Sequence, residues 1–182
     1  MPLNRRRALP GDDSGVPRVG QGATQIRRVR PEDCSEVARV LAEAFAEYRL
    51  LYTVEAFRAT TPDTAEIAGR LDMGPVWIAI QGSTVVGTVS GFLDGDGFYI
   101  RSMAVLPAGR GHGVGRRLME HAQAFATTHG CGRIYLSTTP FLSQAIRLYE
   151  SFGFRQCGTA NLHGTPLLTL EKALPADRKS DD

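Results

Sequence analysis

The chain has 182 residues, of which 42% are hydrophobic and 22% are charged, a composition typical of one globular domain with its own core. It contains no run near the roughly 20 apolar residues of a membrane span, and no apolar stretch of the secretory type follows the arginines at its start. The net charge of +2 resides in residues 1–23, so the remainder is neutral and lacks the basic bias of most nucleic-acid-binding domains.

Both ends of the chain are predicted to be disordered tails. Residues 1–23 are rich in Gly, Pro, Arg and Asp without periodicity, and residues 175–182 have a similar composition. The basic run Arg5–Arg7 fits a solvated tail better than a contact with nucleic acid or an acidic partner. Residues 24–174 then form the single domain, and we expect neither nucleic acid nor a membrane among its partners.

The first half of this domain is predicted to be a strand followed by two helices. The strand covers residues 24–29. The first helix has Pro31 in its first turn and apolar residues at spacings of three and four from Val37 to Tyr48. The second helix begins near residues 61–63 and ends at Gly74.

After Gly74 the periodicity of the hydrophobic residues changes to that of β-strands. Residues 76–80, 84–92 and 98–105 are predicted to form an antiparallel meander, because turn sequences separate them. The remaining elements follow in the order helix, strand, helix, strand, strand, over residues 113–129, 133–137, 143–152, 154–158 and 167–170. This order predicts an α/β (α+β) fold, a mixed sheet with helices on its faces.

Four glycines alternate between the end of the third meander strand and the start of the next helix: Gly109, Gly111, Gly113 and Gly115. Such a loop leaves backbone N–H groups bare, and the positive end of the helix favours a phosphate or pyrophosphate. Nearby arginines can add charged donors. The P-loop pattern is excluded because no Lys follows, and the dinucleotide pattern GxGxxG fits in no frame.

The sequence Arg110-x-x-Gly113-x-Gly115 resembles the [RQ]xxGxG/A pyrophosphate motif of the GCN5-related N-acetyltransferases, the GNAT family. It follows a strand that ends in Met-Ala-Val-Leu-Pro at residues 103–107. Downstream, residues 145–154 resemble the A-x-x-L-Y-x-x-x-G-F element of that family. The resemblance covers residues 24–174 and is strongest over 99–158.

The resemblance implies a mainly antiparallel sheet of about seven strands, with a V-shaped opening between the strands 98–105 and 133–138. It implies acetyl-CoA as the acyl donor, without a metal. The pantetheine arm would pair with the open strand, and the pyrophosphate would bind the glycine loop. The implied donor contacts are Met103, Ala104, Val105, Arg110, Gly111, His112, Gly113, Val114, Gly115, Arg116, Ser143 and Tyr149.

The chemistry implied by the resemblance is direct attack of a neutral amine on the thioester. A backbone N–H, that of Val105, stabilises the oxyanion, and Tyr149 protonates the departing thiolate as general acid. Many relatives carry Asn where this chain has Leu142, so Ser143 is the candidate substitute. Several relatives place a Glu where this chain has Tyr99. The base is therefore Tyr99, a residue such as Glu47 or a chain of water molecules, unless the substrate amine has a lowered pKa and needs no strong base.

The acceptor is expected to be a small amine or an amino-acid-like molecule, bound by residues 45–73 and the strand ends. A peptide N-terminus or a lysine stays an alternative, as does an acyl-CoA-binding sensor without turnover. Arg101 is predicted to share a strand face with Tyr99 and Met103, where it either binds an acidic substrate or is a surface charge. The absence of a disulfide or zinc pattern among three cysteines and four histidines favours a cytoplasmic protein, and the resemblance allows a homodimer.

Overall fold

The computed structural model describes residues 23–175. The predicted tails therefore lie almost wholly outside the described residues, including the basic run Arg5–Arg7. Twelve regular elements are present in the order β-α-α-α-β-β-β-α-β-α-β-β. In chain order they are β1 (Gln25–Arg28), α1 (Cys34–Phe45), α2 (Val54–Thr60), α3 (Thr64–Leu71), β2 (Val76–Gln81), β3 (Thr84–Asp94), β4 (Gly97–Val105), α4 (Val114–Thr128), β5 (Arg133–Thr138), α5 (Ser143–Ser151), β6 (Arg155–Leu162) and β7 (Thr165–Ala173).

The sequence prediction missed α2 and made the first helix too long. The first helix ends at Phe45, and a 3₁₀ segment, Ala46–Leu51, continues the chain. Helix α2 begins at Val54, after the N-cap residue Thr53. The Thr53 side chain accepts a hydrogen bond from the Ala56 N–H and satisfies one of the free donors of the first turn. The short α2 closes one side of the site described below.

All seven strands form one sheet in the order β1-β2-β3-β4-β5-β7-β6. Every neighbouring pair is antiparallel except β4 and β5, which are parallel. The helices cover both faces: α4 packs against the buried side chains of Trp77, Val89 and Phe98, while α1 and α3 pack on the opposite face against Ile78 and Ala104. This is the predicted mixed, mainly antiparallel fold. Within residues 23–175 no helix has the length and apolar character needed to cross a bilayer.

The parallel pair opens after four residues. Strand β4 pairs with β5 from Gly97↔Arg133 to Ile100↔Leu136, and beyond this point β5 continues to pair only with β7. Residues 101–105 of β4 therefore keep one edge without a neighbouring strand. The predicted V-shaped opening between these two strands is confirmed.

A β-bulge marks the point where the strands separate. Ser90 of β3 pairs with Ser102, while the next residue, Gly91, pairs with Ile100, so Arg101 has no partner. A bulge shifts the alternation of faces, and Met103 accordingly packs in the same cluster as Ile100. The prediction that Arg101, Tyr99 and Met103 share one face was therefore wrong for Met103, whereas Tyr99 and Arg101 both lie against the Phe92 ring.

Candidate active site

Two cavities lie on either side of the opening between β4 and β5. The first, here called the loop cavity, has a volume of about 360 Å³ and is bordered by the glycine loop, the end of β4 and α5. The second, here called the cleft cavity, has a volume of about 380 Å³ and is bordered by α2, α3, β4, β5 and the last hairpin. Both have the size of a small-molecule site. Five residues line both cavities: Phe45, Met103, Leu142, Ala145 and Tyr149.

The glycine loop presents a row of free backbone donors to the loop cavity. In the described chain, no backbone or side-chain acceptor receives the N–H groups of residues 111–116, and the first bond of α4 runs from Arg117 N to Gly113 O at 3.1 Å. The positive end of the helix dipole lies at the same place. This arrangement can bind an anion with several oxygens, such as a pyrophosphate.

The loop glycines serve two different purposes. Gly111 and Gly113 have φ angles of +77° and +76°, in the left-handed region that glycine adopts without strain, and a Cβ at either would meet no atom. At Gly115, by contrast, a Cβ would come within 3.1 Å of the Leu148 side chain. The first two shape the loop, and the third allows α4 to pack closely against α5.

The open edge of β4 supplies further backbone groups. The Leu106 N–H bonds to Val86 O at 2.8 Å, which places the even-numbered residues of this segment toward β3. Because the pattern alternates along an antiparallel pair, the backbone groups of Met103 and Val105 face the opening. Both residues were predicted to pair with an extended ligand, and both line the loop cavity.

The Arg110 side chain is engaged with protein groups. Its guanidinium forms an ion pair with Glu47 and donates to the carbonyl oxygens of Ala44 and Val105, each at 3.2 Å. These contacts join the end of α1 to the end of β4. Its backbone N–H bonds to Pro107 O. Arg110 borders the loop cavity as predicted, but its charge is matched by a carboxylate.

Other predicted residues of the glycine loop differ in position. Arg116 lines the loop cavity, and its guanidinium lies 5.3 Å from the centre of the Phe152 ring. Gly111, Gly113, Val114 and Gly115 also line it, as does Ala104 from β4. His112 is exposed and does not line the cavity. Within the described residues no cluster of His, Cys, Asp or Glu could hold a metal ion.

Tyr149 lies in the wall between the two cavities. Helix α5 carries it, and only 6% of the residue is exposed. Its hydroxyl forms no hydrogen bond with any described residue. Burial, together with the nearby Tyr52 phenol, raises the pKa of Tyr149 above its ordinary value. The phenol therefore keeps its proton at neutral pH and has that proton available for donation.

Helix α5 begins differently from the prediction. Ser143 is exposed and borders neither cavity, whereas Leu142 borders both and Gln144 borders the loop cavity. Gln144 has the amide group that Leu142 lacks at the position where many relatives carry Asn. The sequence analysis overlooked Gln144, although it follows Ser143 directly.

The cleft cavity holds the second predicted catalytic residue, Tyr99. Its ring lies 5.1 Å from that of Tyr135 and 5.4 Å from that of Phe92. Two cations, Arg70 and Arg101, and several hydroxyl groups also line this cavity. No Asp, Glu or His is among its lining residues. Arg70 was not singled out from the sequence, where a cation at the end of a helix resembles an ordinary surface charge.

An open parallel strand pair beside a row of free amides can hold an extended ligand that carries a pyrophosphate. Similarity to known proteins identifies the family. The sequence model of the Acetyltransferase (GNAT) family matches residues 37–154. The chain is 33% identical over 135 residues to the uncharacterized N-acetyltransferase YjgM of Escherichia coli K12, covering 71% of this chain and 80% of that protein. The chain therefore belongs to the GNAT family.

Solved structures agree with this assignment at the level of the fold. The PaiA N-acetyltransferase of Thermoplasma acidophilum in complex with coenzyme A superposes with a TM-score of 0.70 at 18% identity, covering 84% of this chain and 99% of that one. YncA from Salmonella typhimurium with acetyl-CoA gives 0.67 at 22% identity, covering 88% and 99%. Membership of this family makes the protein an acetyltransferase, and the two solved neighbours hold coenzyme A and acetyl-CoA respectively. These findings favour an enzyme over a sensor without turnover.

Proposed function

We propose that the protein transfers an acetyl group from acetyl-CoA to the primary amine of a small, amino-acid-like acceptor. One observation carries this proposal: two cavities of similar size meet at the buried Tyr149. The loop cavity suits the donor, because its free amides fit a pyrophosphate and its edge strand fits the pantetheine arm. The cleft cavity then receives the acceptor from the opposite side.

The residues of the chain divide the work in this proposal. The amides of residues 111–116 hold the pyrophosphate, with Arg116 and Gln144 beside them. The N–H of Val105 faces the opening and stabilises the negative charge that develops on the thioester oxygen. Tyr149 gives its proton to the sulfur of CoA as general acid, for which a buried, unpaired and protonated phenol is suited.

The base is the least conventional part of the site. Glu47 pairs with Arg110 and does not line the cleft cavity, so of the earlier candidates Tyr99 and a water chain remain. A cavity without a carboxylate or imidazole favours an acceptor that enters as the neutral amine. We therefore expect the rate to rise with pH as the free amine becomes more abundant.

Two measurements test the proposed function together. Calorimetric titration with acetyl-CoA and with CoA should give saturable binding of both. Release of CoA from acetyl-CoA, followed across a panel of small amines, should then depend on the acceptor. Binding without release from any small amine would contradict an acceptor of this class, and no binding at millimolar acetyl-CoA would contradict the donor site.

A homodimer and a cytoplasmic location stay predictions. Leu50, in the 3₁₀ segment before α2, and Val54, the first residue of α2, expose 97% and 67% of their surfaces. Apolar side chains of this kind are common where subunits meet. Sedimentation at several protein concentrations would test the dimer, and Leu50→Lys should shift the equilibrium toward the monomer if this surface is the interface.

A further inference from the structure

The charge of the cleft cavity is unusual for a site that must accept an amine. Its charged lining residues are Arg70 and Arg101, and no acidic side chain balances them there. An amine is itself cationic at neutral pH. A cavity built only to receive a cation would have acidic groups, because like charges repel and opposite charges attract across short distances.

Arg70 is partly buried without a carboxylate partner. It projects from the last turn of α3, and its Nη1 donates to the Ser102 hydroxyl at 2.9 Å. No carboxylate of the described residues lies within 4.0 Å of its guanidinium, although Arg27, Arg39, Arg110 and Arg133 all have one. Burial and the neighbouring Arg101 lower the pKa of Arg70. A guanidinium has five N–H donors, so most of those on Arg70 are available to a ligand.

Arg101 occupies its position because of the bulge in β4. As the residue without a partner on β3, it is released from the regular alternation of the strand. Its guanidinium lies 4.7 Å from the centre of the Phe92 ring and donates to the Met73 sulfur at 3.4 Å, neither of which carries a charge. Two cations therefore share the cavity. The carboxylate of Glu66, one turn before Arg70 on α3, attracts Arg70 from a distance but forms no ion pair with it and does not line the cavity.

A buried hydroxyl adds a polar group that has only a weak contact, with the Tyr52 phenol. Thr139 lines the same cavity and is 2% exposed, and its Oγ1 makes no hydrogen bond of normal geometry with the described residues, although Tyr52 stands beside it. Buried polar atoms are rarely left unpaired in native structures. A bound polar molecule in this cavity would give this hydroxyl its partner.

We propose that the amine acceptor of this enzyme carries an acidic group, a carboxylate or a phosphate, and that Arg70 and Arg101 bind this group. The proposal rests on the proposed function, because it assigns the cleft cavity to the acceptor. Planar guanidinium groups bind both kinds of anion through paired hydrogen bonds. The two cations also lower the pKa of an ammonium group held near them, which favours the neutral, nucleophilic amine without a carboxylate base.

The test compares acceptors that differ only in the acidic group. One arm pairs L-amino acids with their carboxamides, and the other pairs phosphoethanolamine with ethanolamine, with release of CoA as the readout. We expect kcat/KM to be at least about tenfold higher for the acidic member of one pair, since hydrogen bonds to charged groups have this effect. The arm with the larger ratio identifies the kind of acid.

Variants connect this preference to the two arginines. Arg70→Gln should reduce the ratio between acidic and neutral acceptors about tenfold or more, and Arg70→Lys should reduce it less because the charge stays. Arg101→Gln is the second variant, needed if Arg70→Gln fails to fold. Arg58→Gln, an exposed position on α2 outside both cavities, is the matched control and should leave the ratio unchanged.

The outcomes separate this proposal from the one on which it rests. Equal or faster turnover of the neutral acceptors would overturn the acidic acceptor while leaving small-amine acetylation intact. A preference for acidic acceptors that survives both Arg70→Gln and Arg101→Gln would overturn the role of the arginines. Binding of acetyl-CoA without turnover of any of these amines would overturn the proposed function, and the acidic acceptor with it.

Discussion

The two cavities are built from different parts of the polypeptide. The loop cavity offers mainly backbone: the amides of residues 111–116 and the free edge of β4. The cleft cavity offers side chains from α2, α3, β4, β5 and the last hairpin, including two arginines and several hydroxyls. Backbone groups are the same whatever the sequence, whereas side chains differ from one protein to the next. In the proposed assignment, the donor side is therefore suited to a substrate shared by many enzymes, and we expect the acceptor side to determine specificity.

Tyr149 belongs to both cavities, and its removal should have the largest effect. Tyr149→Phe keeps the ring that packs beside Phe154 and removes only the hydroxyl. We expect kcat to fall about 10²- to 10⁴-fold, the usual contribution of a general acid. The dissociation constant of acetyl-CoA should change less than about twofold, because the loop amides and the edge of β4 supply most of the donor contacts and do not involve this hydroxyl. Steady-state kinetics and calorimetry measure the two quantities.

The pH profile of the wild-type enzyme gives an independent check on Tyr149. Because its pKa is raised by burial, the phenol stays protonated well above neutral pH. The rate should therefore rise with pH and show no descending limb from this group below about pH 9. Wild-type turnover in Tyr149→Phe would contradict the role of Tyr149 as general acid. A descending limb near neutral pH that this variant abolishes would contradict the raised pKa of Tyr149.

Replacing one glycine, Gly113, should disrupt the proposed binding of acetyl-CoA in the loop cavity. Gly113→Asp introduces a carboxylate at the start of α4, where the pyrophosphate should bind, and repulsion should weaken acetyl-CoA binding at least about a hundredfold. Gly113→Asn is the matched control, because Asn has nearly the same shape and also tolerates a positive φ such as the +76° found here. Calorimetry should find a much smaller loss of acetyl-CoA affinity for Gly113→Asn than for Gly113→Asp. Equal losses would show that shape rather than charge matters at this position.

The contrast between the loop cavity, built mainly from backbone, and the cleft cavity, built from side chains, explains which features could be predicted from the sequence. Arg110-x-x-Gly113-x-Gly115 and residues 145–154 are contiguous, and a loop that must expose its own amides needs glycines at fixed spacing. The fold also followed from local periodicity. The bulge at Arg101 left no local signal, because it depends on the register with β3. Arg70 became notable only once folding placed it opposite Ser102 without a carboxylate.

The contacts of the Arg110 side chain with Glu47, Ala44 and Val105, here called the Arg110 clamp, raise the question of whether this motif residue binds the donor or stabilises the fold. Replacing Arg110 answers it. In Arg110→Gln the bonds to the Ala44 and Val105 carbonyls and the ion pair with Glu47 are weakened. We expect a loss of about 2 kcal/mol in the free energy of unfolding, mostly from the carbonyl bonds, since partly exposed ion pairs contribute little. Urea denaturation measures this loss.

Two comparisons distinguish the clamp from a phosphate contact. Glu47→Gln retains a polar side chain and removes only the charge, so it should cost less than about 1 kcal/mol. If Arg110→Gln leaves the urea midpoint unchanged and instead reduces the salt dependence of acetyl-CoA binding, Arg110 serves the pyrophosphate directly. The interpretation based on the structure would then be wrong for this side chain.

The last expected effect is on stability alone and lies outside both cavities, at Asp33. Arg27 binds both carboxylate oxygens, at 2.6 and 2.9 Å, and the Arg30 N–H donates to the same group at 2.8 Å. The hydrogen bonds from Arg27 lower the pKa of Asp33 from 3.8 to about 2. Because the folded pKa lies below the unfolded one, the stabilisation is complete above about pH 4 and is lost as the pH falls toward 2. Asp33→Asn should therefore cost about 2 kcal/mol at pH 7.

The difference between wild type and Asp33→Asn should shrink between pH 4 and pH 2.5, while kcat and acetyl-CoA affinity at pH 7 stay unchanged. Urea denaturation at several pH values measures the first effect, and Glu120→Gln, an exposed carboxylate on α4 without an ion pair among the described residues, should show no such pH dependence. A stability difference independent of pH would show that Asp33 acts by shape alone. A change in acetyl-CoA affinity would show instead that the start of α1 is coupled to the loop cavity. Residues outside the loop cavity would then influence binding there.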